Sequence, residues 1–439
     1  MKDFFKNNKQ QILKDFVWLI PGLEIKRWFA LIFLGSVLIT LGAMILFNVR
    51  PIYLLLELIR KTALILPSNI LAVIIILAGT FLFFIGWQKT NITMIDPEAK
   101  AKGDILETLY RKRKLNRGPR IVAVGGGTGL SMLLKGIKNV TNNITAVVTV
   151  GDDGRSSGRL REEMGVLPPG DIRNCIAALA DAEDLVTKLF QYRFKSGEGL
   201  EGHSFGNLFL TALCAITGDM VRAVKESSSV LSIRGKVLPS TLDDMKLVAE
   251  MEDGTIVHGE SNIPEQGGKI KRLFTEPAQC KALEDVIIAI RNAELIILGP
   301  GSLYTSVIPN LLIKEIADEI AKSKAKKIYV CNIMTQPGET DNYSVASHIN
   351  ALIQHAGSSD IIDAVLVNNK LPENMSDKYA ESGSFPVILD MENVKPIGVE
   401  VVQQKLIEES KEGLVRHSSH RVARAIYHWF RKQQRAKND

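Results

Sequence analysis

The chain has 439 residues, a formal net charge of +6 and an apolar fraction of 46%, which gives room for two or three folded units and a sizeable core. Its four cysteines, Cys175, Cys214, Cys280 and Cys331, form no C-x-x-C pair, which excludes a disulfide scaffold, suits a reducing cytosol and makes each a small buried residue. The body carries no zinc-finger, RNP or helix-turn-helix signature, and the positive charge gathers in the N-terminal flanks and the C-terminal tail, so nucleic acid is not an expected partner.

Residues 1–90 read as a membrane-anchoring region. Trp28 to Phe47 and Leu64 to Trp87 are two runs without a charge, each about 20 residues or more and long enough to cross a hydrocarbon core of roughly 30 Å. The pair predicts a two-helix transmembrane hairpin rather than a cleaved signal peptide. Lys2, Lys6, Lys9, Lys14, Lys26 and Arg27 precede the first run, and Lys89, Lys100, Lys102 and Arg111 to Lys114 follow the second. Positive flanks stay inside, which places both termini and the body in the cytosol. Residues 91–117 form a basic linker, and the domain begins at 118.

The most informative stretch follows at RIVAVGGGTGLSMLLKGI, residues 120–137, where a short apolar strand runs into glycines and then into an amphipathic helix. Gly125, Gly126 and Gly127 let main-chain N–H groups approach an anion, while a helix starting near Thr128 or Gly129 turns its positive end to the same point. The spacing departs from the dinucleotide fingerprint, because the third glycine of G-x-G-x-x-G would fall at Leu130. A nucleotide or sugar nucleotide is therefore favoured over a nicotinamide cofactor.

Beyond it, apolar runs at 121, 144, 295, 327 and 363 alternate with helical segments, which predicts an α/β fold with a mostly parallel sheet covered on both faces. Between Gly235 and Phe274 the texture changes to short strands, KVLPST, KLVAEMEDGTIVHGE and KIKRLF, with Asp253-Gly254 at a hairpin turn. An antiparallel insert beside the sheet is expected. Ligands of such sheets lie beyond the strands' carboxyl ends, so the segments there are read together. GDDGRSSGRLR offers Asp152 and Asp153 for ribose hydroxyls or a magnesium ion on a diphosphate, with Ser156 and Ser157 in a second anion nest. LPPGDIRN leads into a helix with Asp171 near its N-cap and Arg173 and Asn174 in its first turn. HSFGNL places His203 and Asn207 four apart, and LIILGPGSLYTSVIPNL repeats the strand, turn and helix with Gly301, Ser302 and Thr305. The turn MTQPGETDNY after the next strand is polar.

Six motifs in this order, GGGTGLS, GDDGRSSGRLR, PPGDIRN, GHSFGNL, LGPGSLYTSVIPNL and MTQPGETDNY, resemble those of the YvcK-like family of gluconeogenesis factors, which is related to the CofD-type 2-phospho-L-lactate transferases. The resemblance covers residues 119–420 and leaves 421–439 as a basic C-terminal helix. It implies a Rossmann-like fold and binding of a UDP-sugar such as UDP-N-acetylglucosamine. It also implies a role in cell shape and wall synthesis during gluconeogenic growth, with cell-wall synthesis proteins as partners and a homo-oligomeric state. Tyr379 in DKYAES and Arg416 in LVRH match positions that contact the nucleotide sugar in that branch. Two departures stand out: Arg155 replaces the second glycine of the usual D-D-G-G-S-S-G, and the N-terminal hairpin is an addition to shorter members.

Two readings of the pocket stay open. In the first, the chain is a membrane-tethered UDP-sugar-binding regulator without turnover. In the second, it is a magnesium-dependent transferase that uses a nucleotide diphosphate donor, with Asp152 and Asp153 on the metal and Arg173 against developing phosphate charge.

Overall fold

The computed structural model describes residues 113–436 apart from 182, 372–378, 380, 382 and 410–414, together with Tyr53, Glu57 and Lys61. The chain divides into two compact units, Met1–Lys112 and Arg113–Asp439. Both apolar runs of the expected hairpin lie outside the described residues. Among the described residues no single helix is long and apolar enough to cross a membrane, and one pair, Phe205–Thr217 with Met220–Val230, reaches that length only across a 117° bend.

The second unit starts with strand β1 (Ile121–Gly125), helix α1 (Gly127–Ile137) and strand β2 (Ile144–Val148). Helices α2 (Arg155–Met164), α3 (Gly170–Leu179), α4 (Glu183–Gln191), α5 (Phe205–Thr217) and α6 (Met220–Val230) lead to strand β3 (Lys236–Pro239). An insert of β4 (Lys246–Met251), β5 (Ile256–His258) and β6 (Ile270–Glu276) comes next, then α7 (Glu284–Asn292) and β7 (Leu295–Leu298). A wide π turn over Leu303–Val307 opens α8 (Ile308–Leu312), followed by α9 (Lys314–Lys322), β8 (Lys326–Val330), α10 (Val345–Ala356) and β9 (Ala364–Asn368). The chain then runs through β10 (Glu400–Gln404), β11 (Ile407–Glu409), β12 (Val415–His417) and α11 (Ser419–Ala436).

Seven strands make one sheet in the order β10-β9-β8-β7-β1-β2-β3, and every pairing in it is parallel. Strands β1 and β7 are buried along their whole length, as their unbroken apolar runs require when helices cover both faces. The chain lays β2 and β3 to one side of β1, then returns to place β7 on the other side. The direction of winding therefore reverses between β1 and β7, and the crevice at that point is where a doubly wound sheet receives its ligand.

The expected antiparallel insert is present, with strand order β5-β4-β6. Its Asp253-Gly254 turn carries Gly254 at φ +87°, and the Thr255 N–H donates to Asp253 Oδ1 at 2.9 Å. The segment KVLPST, read above as part of the insert, instead supplies β3 to the main sheet, pairing Thr145 with Lys236 and Val148 with Pro239. Pro239 is tolerated because β3 is an edge strand, and a four-residue apolar run does not by itself declare which sheet it joins. Strand β10 escaped the reading because EVVQQ holds only two apolar residues. Cys175, Cys280 and Cys331 are buried, Cys214 is half-buried, and all four are free thiols.

Helix α11 buries Val422, Ala423, Ile426, Trp429 and Phe430. It lies against α1 so closely that a Cβ on Gly136 would stand 2.1 Å from the Ser419 carbonyl oxygen.

Candidate functional site at the β1 and β7 crevice

The first glycine loop leaves β1 at Gly125, and Gly127 has φ +62° in the first position of α1, a conformation in which glycine pays no Cβ penalty. The second loop leaves β7 through Gly299, Pro300 and Gly301. The two loops meet main chain to main chain: a Cβ on Gly129 would lie 2.4 Å from the Pro300 carbonyl oxygen and 2.7 Å from Gly301 Cα. Asn310 of α8 fastens the contact from below, donating through Nδ2 to the Ser306 carbonyl at 2.9 Å and to the Gly125 carbonyl at 3.3 Å. Thr128 is exposed at the mouth.

Asp171 faces this cradle. Helix α3 begins at Gly170 and has no side-chain cap bond, so the N-cap role expected for Asp171 is not what its carboxyl does. Instead it accepts the Gly127 N–H, and burial together with the negative charge of Asp152 raises it to about 7. Space for it exists because residue 126 is glycine, where a Cβ would stand 2.5 Å from Asp171 Oδ2. Burial likewise brings Glu339 up to about 7. Its carboxylate accepts from Thr305 Oγ1 at 3.2 Å and from the Tyr304 N–H at 3.4 Å. Gln336, from the same turn, donates through Nε2 to Ser302 Oγ at 2.7 Å. The polar turn after β8 thus buttresses the second loop through Ser302 and Thr305.

Glu260, which the insert contributes just after β5, has its Oε2 buried without a hydrogen-bond partner among the described residues. Burial first, then the negative charges of Asp171, Asp152, Asp153 and Glu339, pushes its carboxyl well above the usual range. Nothing in VHGES announced this residue, because its neighbours come from distant segments. Glu339 and Gln336 stood in a turn visibly rich in polar groups, but no local spacing aims them at Ser302 and Thr305.

The paired aspartates have different neighbours. Asp152 Oδ1 accepts the Gly154 N–H at 2.9 Å, and a Cβ on Gly170 would lie 2.7 Å from Asp152 Oδ2. Asp153 Oδ1 accepts from the Ser261 N–H at 2.9 Å and Oγ at 2.7 Å, which ties the loop after β2 to the insert. Among the described residues no three His, Cys, Asp or Glu side chains are placed to hold a metal ion together. Arg155 occupies φ +40°, so the loop keeps the left-handed turn that a glycine would adopt without strain.

The remaining residues gather where α2, α3 and α5 begin. Ser156 Oγ lies 3.0 Å from His203 Nδ1 and accepts from Asn207 Nδ2 at 3.0 Å, while Asn207 Nδ2 reaches Ser157 Oγ at 3.5 Å. Burial lowers the His203 imidazole below its ordinary range. Arg173 donates to Ser204 Oγ at 2.5 Å and to Asn174 Oδ1 at 2.9 Å. Two residues apart on one helix, Asp171 and Arg173 point to different sides of α3, the first to the glycine cradle and the second to the start of α5.

Tyr379 and Arg416 come from the late segments of the chain, where Ile333, just after β8, joins Ile407 and Val415 in a small apolar cluster. The Tyr379 hydroxyl accepts the Val415 N–H at 2.9 Å, and its ring packs against the cluster of Ile333, Ile407 and Val415. Arg416 is exposed between Val415 and His417 on β12. His417 is half-buried with its Nε2 enclosed, and burial lowers its imidazole to about 4.

Comparison with known proteins agrees with this architecture. The family model described as 2-phospho-L-lactate transferase CofD matches residues 121–407. The gluconeogenesis factor of Bacillus subtilis strain 168 is 52% identical over 310 residues, covering 70% of this chain and 97% of its own. A Nostoc sp. PCC 7120 relative, provisionally given the same name, is 52% identical over 422 residues, covering 94% of this chain and 92% of its own. A crystal structure of a Bacillus halodurans protein superposes with a TM-score of 0.68 at 48% identity, covering 71% of this chain and all of that one. The strand order, the facing glycine loops and these similarities together make the chain a member of the CofD family, in its branch of YvcK-like gluconeogenesis factors.

Proposed function

We propose that the chain is a UDP-sugar-binding regulator, tethered to the membrane by its N-terminal hairpin, that acts on cell shape, wall synthesis and carbon metabolism during gluconeogenic growth. The observation that carries the binding role is the contact of the two glycine loops at the point where the winding of the sheet reverses. That contact frames a cradle of main-chain N–H groups suited to a diphosphate. Asp152 takes the ribose in this reading, and Tyr379 and Arg416 take the outer part of the nucleotide sugar. Tethering would hold the module where wall precursors are assembled.

The description of the matching family favours a second reading, transfer of a phosphate-containing group from a nucleotide diphosphate donor. Magnesium would supply charge neutralisation of the diphosphate there. Asp152 and Asp153 have different neighbours and do not by themselves form a chelate, so no step is assigned to the ion.

Calorimetric titration of the full chain with UDP-N-acetylglucosamine, with and without magnesium, tests both readings when the ligand is recovered afterwards. Saturable binding with intact ligand supports the regulator. Breakdown of the ligand moves the assignment to transfer, and absence of binding sinks the UDP-sugar reading.

A further inference from the structure

Strand β10 is the outer strand of the sheet, and β9 is its one partner among the described residues. The Glu400 N–H donates to the Asp363 carbonyl and the Asn369 N–H to the Gln404 carbonyl. In a parallel ladder the residues that bond one neighbour alternate with those that face the other side. Glu400, Val402 and Gln404 are therefore committed to β9, and the N–H and C=O groups of Val401 and Gln403 face the open edge.

A groove of about 590 Å³ runs between this edge and helix α11, lined by β10 together with Lys405, Arg421, Arg424, His428, Trp429 and Lys432. Glu400 is its one acidic lining residue, and that carboxylate already accepts from Trp429 Nε1 at 3.0 Å and from Gln433 at 2.8 Å. Its four Lys and Arg side chains against one Glu give the groove a formal +3. Arg424, Lys432 and Lys405 are exposed and form no ion pair among the described residues. Folds often keep foreign strands off an edge by placing charge on the strand itself. Here the strand reads EVVQQ, its one charge, Glu400, is held by Trp429 and Gln433, and the charges on the neighbouring helix are all of one sign.

We infer that the β10 edge and the basic face of α11 together form a docking site for an extended acidic segment of a partner protein, which adds as a strand beside β10. Main-chain bonds to Val401 and Gln403 supply the pairing. Side chains alternate across a strand, and Glu400 shows that one face of β10 looks toward α11. Every second residue of an added strand points the same way, so the segment carries Asp or Glu at alternate positions to meet Arg424 and Lys432, while Arg421 is held on the Ile407 carbonyl. A second copy of this chain is a poorer occupant. Antiparallel pairing of two β10 edges puts both α11 helices on the same face of the joined sheet, side by side, with like charges opposed.

The test uses the full chain and fluorescein-labelled Ac-Thr-Glu-Thr-Glu-Thr-Glu-Thr-amide, read by anisotropy. Saturable binding that the Lys-for-Glu peptide lacks, and that weakens as salt is raised, is expected. The double variant Arg424→Glu, Lys432→Glu is expected to lose about tenfold or more in affinity. Val401→Pro removes an outward N–H without breaking the β9 ladder, since edge strands tolerate proline, and is expected to lose a similar factor. Far-ultraviolet circular dichroism and thermal unfolding of both variants serve as the control for folding. Failure of the acidic peptide to bind overturns the inference. Equal binding of a peptide N-methylated at alternate amides also overturns it, because the face would then take any polyanion, a lipid surface included. Self-association of the chain that Val401→Pro abolishes would assign the edge to a second copy instead.

Discussion

Gly129 approaches Pro300 so closely that a Cβ on the glycine would stand 2.4 Å from the proline carbonyl oxygen. The obstacle is main chain, so a side chain at 129 cannot be accommodated by a rotamer change. Gly129→Ala is expected to part the two loops and cost about 1–3 kcal/mol of stability; on the proposed function it also weakens UDP-N-acetylglucosamine binding by about tenfold or more. Chemical denaturation and calorimetry on the same preparation check both. A folded variant of unchanged affinity would show that the loop contact does not shape the ligand site.

The carboxyls of Asp171 and Glu339, both raised to about 7, give the cradle a pH dependence whose sign is informative. A diphosphate bound directly beside them favours their protonated forms, so affinity is expected to rise as pH falls from about 8 to about 6, by up to about tenfold per unit for each proton taken up. A cation bridging the diphosphate to these carboxylates would reverse the slope. The protein alone follows the same linkage. Both groups are raised above their unfolded values, so their contribution to stability is full below about pH 4 and is lost as pH rises through about 7. Asp171→Asn should flatten its share of that decline in a series of denaturation curves.

Asp153 separates structure from binding. Because its carboxylate holds Ser261 through two hydrogen bonds, Asp153→Ala is expected to destabilise the chain by about 0.5–2 kcal/mol, and Ser261→Ala to reproduce part of that loss. Ligand affinity should fall less in either variant than in Gly129→Ala. Equal loss of affinity in all three would return Asp153 to the pocket.

Arg155 holds a left-handed conformation at φ +40°, which is unfavourable for a residue with a Cβ. Arg155→Gly should leave stability unchanged or raise it by up to about 1 kcal/mol, the relief of strain being offset by the freer unfolded chain. Arg155→Val should lower it. Thermal unfolding of the pair distinguishes local strain from a role for the guanidinium.

Much of this architecture was legible in the sequence because its strands are unbroken apolar runs ending in glycine. Ile121 to Gly125 and Leu295 to Leu298 announced themselves, and with them both glycine loops. The turn chemistry of Arg155 was legible too, since only the replacement of a glycine made it notable. Strand β10 was hidden because an edge strand needs little apolar character, and Lys236 to Pro239 was assigned to the wrong sheet because pairing partners are set by tertiary packing. Glu260 was invisible as a site residue, and the partners that Glu339 reaches from its polar turn were hidden, for a related reason. Their surroundings are assembled from segments far apart in the chain, and no local period encodes them.

The central strand also sets an order of events during synthesis. Ile121 pairs with Ile144 on one side and with Leu295 on the other, so one flank of β1 can close soon after it leaves the ribosome, while the other stays open until synthesis has passed into the second half of the domain. The nascent chain therefore carries half a crevice from the completion of β2 until β7 has been made. Ligand captured after completion would act as a clasp between the early and late halves, and its release would loosen first the seam that closed last.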